Sequence, residues 1–507
     1  MESSKTSDGQ AEQLKRRLKD LDLQEGDVDE QRSDAGSDVA VRPVAHEKIL
    51  EEWRAKEAAD GRRSMSLVVV GHVDAGKSTL MGRLLHELGS LTDKAYQANA
   101  RASSKAGKGS FAYAWTLDSS EEERSRGVTI DIAHDTFDTP HRRFALLDAP
   151  GHRDFIPNMI SGAAMADAGL LVVDASLGAF EAGFGDKGQT REHAVLLRSL
   201  GTSQIVVAVN KLDAVAYDQN RFTEIVDKVK NFLASIGFDT AGGEGASGVR
   251  FVPCGAAIGE NLSQRSQSGD LARWYRGPTL VEVLDTLTPP TRTIDAPLRI
   301  PVTNVFKSGQ VTAISSGLGV AGRIVSGLVS VGDRLAAVPG DETGLVKAIE
   351  LDGDAVPWAV AGSTVTCFLT GIDQIHVNIG SVLCPPNAPV PLVTTLLVRL
   401  LVFEPSLPLM SGTSLELFHH SSNIPCTITS LERTIDAKSG STLKAKPRVL
   451  SRGSTAEVRI SITPTQTSRG SSAGVPIEIF AKSRDMGRVV LRLAGESVAA
   501  GVVLEAA

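Results

Sequence analysis

From Met65 to about Pro290, short β-branched runs alternate with stretches whose apolar residues recur every three or four positions. The runs are SLVVVGH, RFALLDAP, AGLLVVDAS, QIVVAVNKLD and VRFVPCGA, and their alternation with helical patterns predicts a mostly parallel sheet with helices on both faces. The doublet Pro289-Pro290, followed by TRTIDAP, cannot continue a helix and marks a linker. Beyond it the period shortens: LRIPVTNVF, GRIVSGLVSVGDRL and TTLLVRLLVF alternate apolar and polar residues between Gly, Pro, Asn and Asp. Two antiparallel β-barrels of about 100 residues each account for this pattern, with a break near Pro385 to Pro391.

Ahead of Met65 the pattern thins out. Residues 1–64 carry 12 Lys/Arg against 16 Asp/Glu and a single aromatic, Trp53, so they are predicted to be a mostly disordered acidic extension. Leu14, Leu18 and Leu21, and later Ile49, Leu50 and Trp53, sit at helical spacing, which suits either short helices that dock on a partner or transient solvated ones. The predicted domains are therefore 1–64, 65–290, 291–387 and 388–507.

Composition narrows the class. Among 507 residues, 42% are hydrophobic and 22% charged, as in soluble globular proteins. The longest apolar runs, Ser66 to Val70 and Ile205 to Val209, have the length of strands, which excludes an integral membrane protein. The first residues combine acids with bases and lack an apolar stretch, unlike a secretory or transit peptide, so a cytoplasmic location is expected. The four cysteines, Cys254, Cys367, Cys384 and Cys426, show no paired spacing, which argues for reduced thiols over zinc or disulfides. A net charge of −7 gives no bulk attraction to polyanions, although a local basic face could still meet nucleic acid.

Three motifs carry chemistry, each at the end of an apolar strand. The first, Gly71-His72-Val73-Asp74-Ala75-Gly76-Lys77-Ser78 with Thr79, is a complete G-x-x-x-x-G-K-[ST] between a strand and a helical pattern. Its glycines let backbone N–H groups converge on phosphate oxygens, Lys77 reaches the terminal phosphates, and the Ser78 hydroxyl ligates Mg²⁺. The second, Asp148-Ala-Pro-Gly-His152, puts a carboxylate where it holds Mg²⁺ directly or through water. The third, Asn210-Lys211-Leu-Asp213, concerns the base. Asp213 can accept from both guanine N1–H and the 2-amino group, which adenine does not offer, so GTP is favoured over ATP. Asn210 would tie this corner to the phosphate loop and the Lys211 stem would lie along the purine face.

With these residues in place, the chain from Met65 to about Val503 resembles the translational GTPases, in the branch of elongation factor 1-alpha and the eukaryotic release-factor GTPase. The markers are GHVDAGKST, GSFAYAWTLDSSEEERSRGVTIDI, DAPGHRDFIPNMI, GQTREHAVLLRSLG, NKLD, GRIVSGLVSVGD and IFAKSRDMGRVVLR. The resemblance implies a P-loop GTPase domain followed by two barrels, with GTP/GDP and Mg²⁺ as ligands. It also implies roles. Thr129 looks like the switch-one threonine that joins Ser78 on Mg²⁺, and Gly151 like the switch-two glycine that donates to the γ-phosphate. His152 resembles the histidine that orients the attacking water, with Val73 and Val128 as an apolar gate. Water would attack in line, without a covalent intermediate and without an evident arginine finger in cis. The loop that usually reads Ser-Ala or Ser-Gly appears as Gly255-Ala256, followed by Ala257. There the Ala256 N–H can still donate to guanine O6, while the bracing serine is missing, so weaker affinity with guanine selectivity kept is expected.

Within the branch, FAYAWTLD, FIPNMI, VVDASLGAFEAGF and the acidic extension look most like the HBS-like ribosome-rescue GTPases. Those deliver the tRNA-shaped factor Pelota to stalled ribosomes in no-go and non-stop decay. A GTPase that meets the ribosome's GTPase-activating rRNA and is monomeric when free is thus implied. Delivery of aminoacyl-tRNA in the manner of elongation factor 1-alpha, a termination GTPase, the GTPase subunit of sulfate activation, and a scaffold that hydrolyses little remain the alternatives.

Overall fold

The computed structural model describes residues 43–507 except 108, 119, 127–128, 186–187, 241–247, 267–268, 308–316, 341, 404–406, 437–438, 464 and 467–471. Six strands build the first sheet: β1 (Arg63–Gly71), β2 (Ala133–Asp138), β3 (Arg142–Asp148), β4 (Ala168–Asp174), β5 (Gln204–Asn210) and β6 (Arg250–Pro253). Their order is β2-β3-β1-β4-β5-β6, parallel throughout except that β2 runs antiparallel to β3. Alternation along β1 explains its unbroken hydrophobicity. Val68 and Val70 enter one buried cluster and Met65, Leu67 and Val69 the other, because helices cover both faces.

The β2 strand has no counterpart among the five apolar runs of the sequence. AHDTFD buries only Phe137, against Phe144 of β3; Ala133 packs partly against the core and polar side chains take the other positions, as an edge strand allows.

Two closed six-stranded antiparallel barrels follow. In the first, Arg334–Val338, Val382–Cys384, Ile300–Lys307, Leu318–Arg323, Thr364–Thr370 and Thr343–Leu351 pair in that order, and Thr343–Leu351 returns to Arg334–Val338. The second ring runs through Ser414–His419, Arg488–Leu493, Glu496–Ala506, Thr395–Val402, Thr455–Ile462 and Ser422–Ile435, and closes on Ser414–His419. Closure removes the exposed edges that short alternating strands would otherwise present. Phe418, Val490 and Ala500 of the second barrel belong to the same buried cluster as Ile160, Leu196 and Leu197 of the first domain.

Pro43–Asp60 is a helix that begins within the segment predicted to be mostly disordered. Leu50 and Trp53 pack on the core of the first barrel, and Trp358 Nε1 donates to Glu52 Oε2 at 3.1 Å. The helical spacing of Leu50 and Trp53 thus serves a docking contact inside the chain. All four cysteines are buried and free. Among the described residues no helix is long and apolar enough to cross a membrane.

A candidate nucleotide site at the strand ends

Parallel register brings the three motifs to one end of the sheet. Val69 of β1 pairs with Asp148 of β3, and Asp174 of β4 pairs with Asn210 of β5, so the segments that leave these strands converge where the strand order reverses. They border a cavity of about 430 Å³. From the phosphate loop and its partners come Val73, Asp74, Gly76, Lys77, Ser78 and Thr79, with Thr129, Gly151 and His152 opposite. Asn210, Lys211, Asp213, Ala256 and Ala257 form the other end. Gly71, His72, Ala75, Asp148 and Gly255 do not line the cavity.

The loop is held from several sides. Lys77 is buried, and its Nζ donates to the carbonyls of Gly71 and His72 at 3.2 and 3.0 Å; burial lowers its pKa. Gly76 adopts φ 86°, and a Cβ there would lie 2.6 Å from Asn210 Nδ2. The Asn210 amide donates to Ala75 O at 2.9 Å, which ties the base corner to the phosphate loop. Lys211 spans the gap between them, bonded to Asp74 O and paired with Asp174 at 2.8 Å. Gly151 approaches so closely that an added Cβ would meet Lys77 Nζ at 2.3 Å.

Three oxygens converge beneath the loop. Ser78 Oγ donates to Asp148 Oδ2 at 2.7 Å and lies 3.2 Å from Thr129 Oγ1. Asp148 is fully buried, its Oδ1 has no hydrogen-bond partner, and burial raises its pKa to about 6 against the opposing pull of Ser78 and Lys77. A buried carboxylate with an unused oxygen beside two hydroxyls fits a hard divalent cation that completes its shell with phosphate and water. No cluster of three His, Cys, Asp or Glu occurs among the described residues, and a magnesium–nucleotide site needs none. His152 is half-exposed at the mouth, where its Nδ1 accepts from the Asp154 N–H at 3.2 Å and its ring tilts against Phe155. Val128 lies outside the described residues.

The Ala256 N–H has a partner within the fold. Expected to face guanine O6, it donates to Asn210 Oδ1 at 3.0 Å. Asn210 therefore braces both loops at once, and the Gly255 loop also closes on itself through the Gly255 N–H to Glu260 O at 3.1 Å.

Sequence reasoning also passed over three residues. His193 accepts from the Gly71 N–H at 3.2 Å while burial, with Lys77 and His72 nearby, depresses its pKa to about 3, so it stays a neutral acceptor. Glu123 accepts from the N–H groups of Ile130 and Asp131 at 3.0 and 3.2 Å and so pins the segment that carries Thr129. Asp118 accepts from Thr129 Oγ1 at 3.4 Å. Burial, then Asp148 and Glu123, push its pKa up to about 7. Glu123 and Asp118 lie in the marker segment quoted above, and their acidity next to a motif hydroxyl was the available signal.

Residues 62–290 match the model of the elongation factor Tu GTP binding domain, and residues 395–504 that of the GTP-eEF1A C-terminal domain-like family. Protein HBS1 of Drosophila melanogaster is 40% identical over 477 residues, which cover 92% of this chain and 68% of that protein. The chain belongs to the translational GTPases of the elongation factor 1-alpha and HBS1 branch. Elongation factor 1-alpha of Pyrobaculum aerophilum is 38% identical over 450 residues, 89% of this chain and 96% of that one. The S. cerevisiae Ski7 GTPase-like domain, bound to GTP, shares the fold with a TM-score of 0.71 over 89% of this chain and 98% of that chain, at 17% identity. This translational GTPase binds GTP and GDP with Mg²⁺, hydrolyses GTP and works with the ribosome.

Proposed function

We propose that this GTPase carries a tRNA-shaped factor of the Pelota type to stalled ribosomes in the cytoplasm, and releases it when GTP is hydrolysed. The observation that carries the reading is the path from the cavity to both barrels. Gly151 and His152 open the segment Arg153–Ala164, in which Arg153 pairs with Glu496 at 3.1 Å and Ser161 meets Ser421 Oγ at 2.6 Å, both in the second barrel. The carbonyl of Met165, one residue further, accepts from Arg323 of the first barrel. Contacts made to a γ-phosphate at Gly151 would bias how the barrels are held, which is what a nucleotide-controlled grip on a partner requires. The segments FAYAWTLD and FIPNMI, with the similarity to HBS1, support a rescue factor over a carrier of aminoacyl-tRNA.

In this reading Lys77, Gly151 and the backbone of residues 71–79 hold the phosphates, and Asp213 and Asn210 serve the base. Ser78 and Thr129 would hold Mg²⁺, with Asp148 direct or through water, and the ion would supply positive charge to the phosphate oxygens. His152 orients water, and the ribosome stimulates turnover by fixing its position. The deciding experiment measures GTP turnover by the purified full chain with ribosomes, with and without Pelota. Turnover that depends on ribosomes and rises or couples to Pelota binding supports the proposal. GTP-dependent capture of aminoacyl-tRNA without affinity for Pelota would assign the elongation role instead.

A further inference from the structure

The base corner holds a hydroxyl without a partner. Ala216 and Tyr217 both occupy the left-handed region, with φ 51° and 54°, a conformation that non-glycine residues adopt only when their surroundings enforce it. Here the enforcement is visible. The Tyr217 N–H donates to Leu212 O at 2.8 Å, and Trp274 Nε1 donates to Tyr217 O at 2.8 Å. The strained turn carries the ring inward, where its hydroxyl is shut off from solvent and makes no hydrogen bond. Such a group is retained at a cost unless a bound ligand gives it a use.

What the hydroxyl faces is defined by Gly255. A Cβ at that position would sit 2.7 Å from the Tyr217 hydroxyl, 3.3 Å from Glu260 Cβ and 3.4 Å from Asp213 Oδ1. Phenol and Asp213 carboxylate therefore border one small volume, and it stays open because residue 255 has no side chain. Asp213 itself is exposed on the cavity wall. A carboxylate has about four acceptor directions, so it can take two donors from a base and still accept one from a phenol. Burial, then the charges of Glu260 and Asp213, raise the pKa of Tyr217, which keeps it a donor.

We propose that Tyr217 is a positioning residue for base selection: its hydroxyl donates to the Asp213 carboxylate when a purine nucleotide is bound and aims that carboxylate at the base edge. The inference rests on the reading of Asp213 as the group that recognises guanine. Serine at 255 is incompatible with this arrangement because its Cβ would displace the phenol.

The test measures affinities of the full chain, with Mg²⁺, for GDP, inosine diphosphate and xanthosine diphosphate. Inosine lacks the 2-amino group, so the ratio of GDP to inosine diphosphate affinity reports how well Asp213 is aimed, whereas a general loss of packing would weaken both alike. Tyr217→Phe should weaken GDP binding about tenfold and inosine diphosphate binding less than about threefold. Gly255→Ser should reduce the ratio as well, and joining it to Tyr217→Phe, which clears the space and returns a hydroxyl to it, should recover part of the ratio. An unchanged ratio in Tyr217→Phe, no recovery in the double variant, or an equal collapse in Glu260→Gln would each overturn the proposal, the last by making Glu260 the acceptor. Asp213→Asn separates the two readings. A switch toward xanthosine diphosphate upholds Asp213 even if Tyr217 proves idle, and its absence removes the base assignment itself.

Discussion

Asp167 and Arg323 form a largely buried ion pair with 2.6 Å between Oδ1 and Nη2 that fastens the GTPase sheet to the first barrel. Arg292 of the linker joins the same carboxylate at 2.8 Å, and the Ser66 N–H of β1 donates to it at 2.8 Å, so three segments meet on one acid. Burial alone would raise the pKa of Asp167, but Arg323 and Arg292 outweigh it and hold the value down to about 2.

Because that value lies below the unfolded one, the stabilisation is complete above pH ~4 and fades as the pH falls through ~2. From the shift it amounts to roughly 2 kcal/mol. Asp167→Asn leaves two largely buried guanidinium groups, 16% and 11% exposed, uncompensated and should cost about 3 kcal/mol at neutral pH. Urea midpoints measured from pH 7 down to pH 2.5 check this: the gap between parent and variant should narrow across the acid range, and a constant gap would mean that the carboxyl acts by shape and not by charge.

His152→Ala should bind GTP and GDP within about twofold of the parent, since the ring stands at the cavity mouth and makes its bonds to its own turn. Ribosome-stimulated turnover should fall by about 100-fold or more, the usual contribution of a group that orients or deprotonates a nucleophile. Single-turnover hydrolysis with saturating ribosomes measures it, and undiminished turnover would exclude the imidazole from the chemistry.

Asp213→Asn should invert base choice, because an amide offers a donor to the xanthine 2-oxo group where the carboxylate offered an acceptor to the guanine 2-amino group. A discrimination change of about 100-fold between guanine and xanthine nucleotides is expected in competition binding. Retained preference for GTP would place base recognition elsewhere.

Trp53→Ala tests the docked helix. Trp53 is half-buried on the first barrel, so its loss should cost about 1–2 kcal/mol locally and free the helix Pro43–Asp60. Limited proteolysis should then cut within that helix faster while GDP affinity is unchanged. Equal cutting rates would show that the contact does not hold the helix.

The phosphate loop, Asp148 and the NKLD corner were legible because their chemistry uses backbone groups and short side chains at fixed offsets from a strand end. The parallel sheet and the barrels were legible from the two periods of apolar residues. What stayed hidden depends on neighbours remote in sequence. The β2 strand has one buried side chain, Phe137, too few for a period. His193 reaches Gly71 across 122 positions of chain, and nothing in GQTREHAVLL marks it as an acceptor. The engagement of the Ala256 N–H by Asn210 and the crowding of Tyr217 against Gly255 are facts of close approach, which no spacing rule encodes.

The apolar seam shared by Phe418, Val490 and Ala500 with Leu196 and Leu197 restricts how this machine can move. Prising the second barrel away from the GTPase module would wet that surface, at a cost that grows with the apolar area exposed.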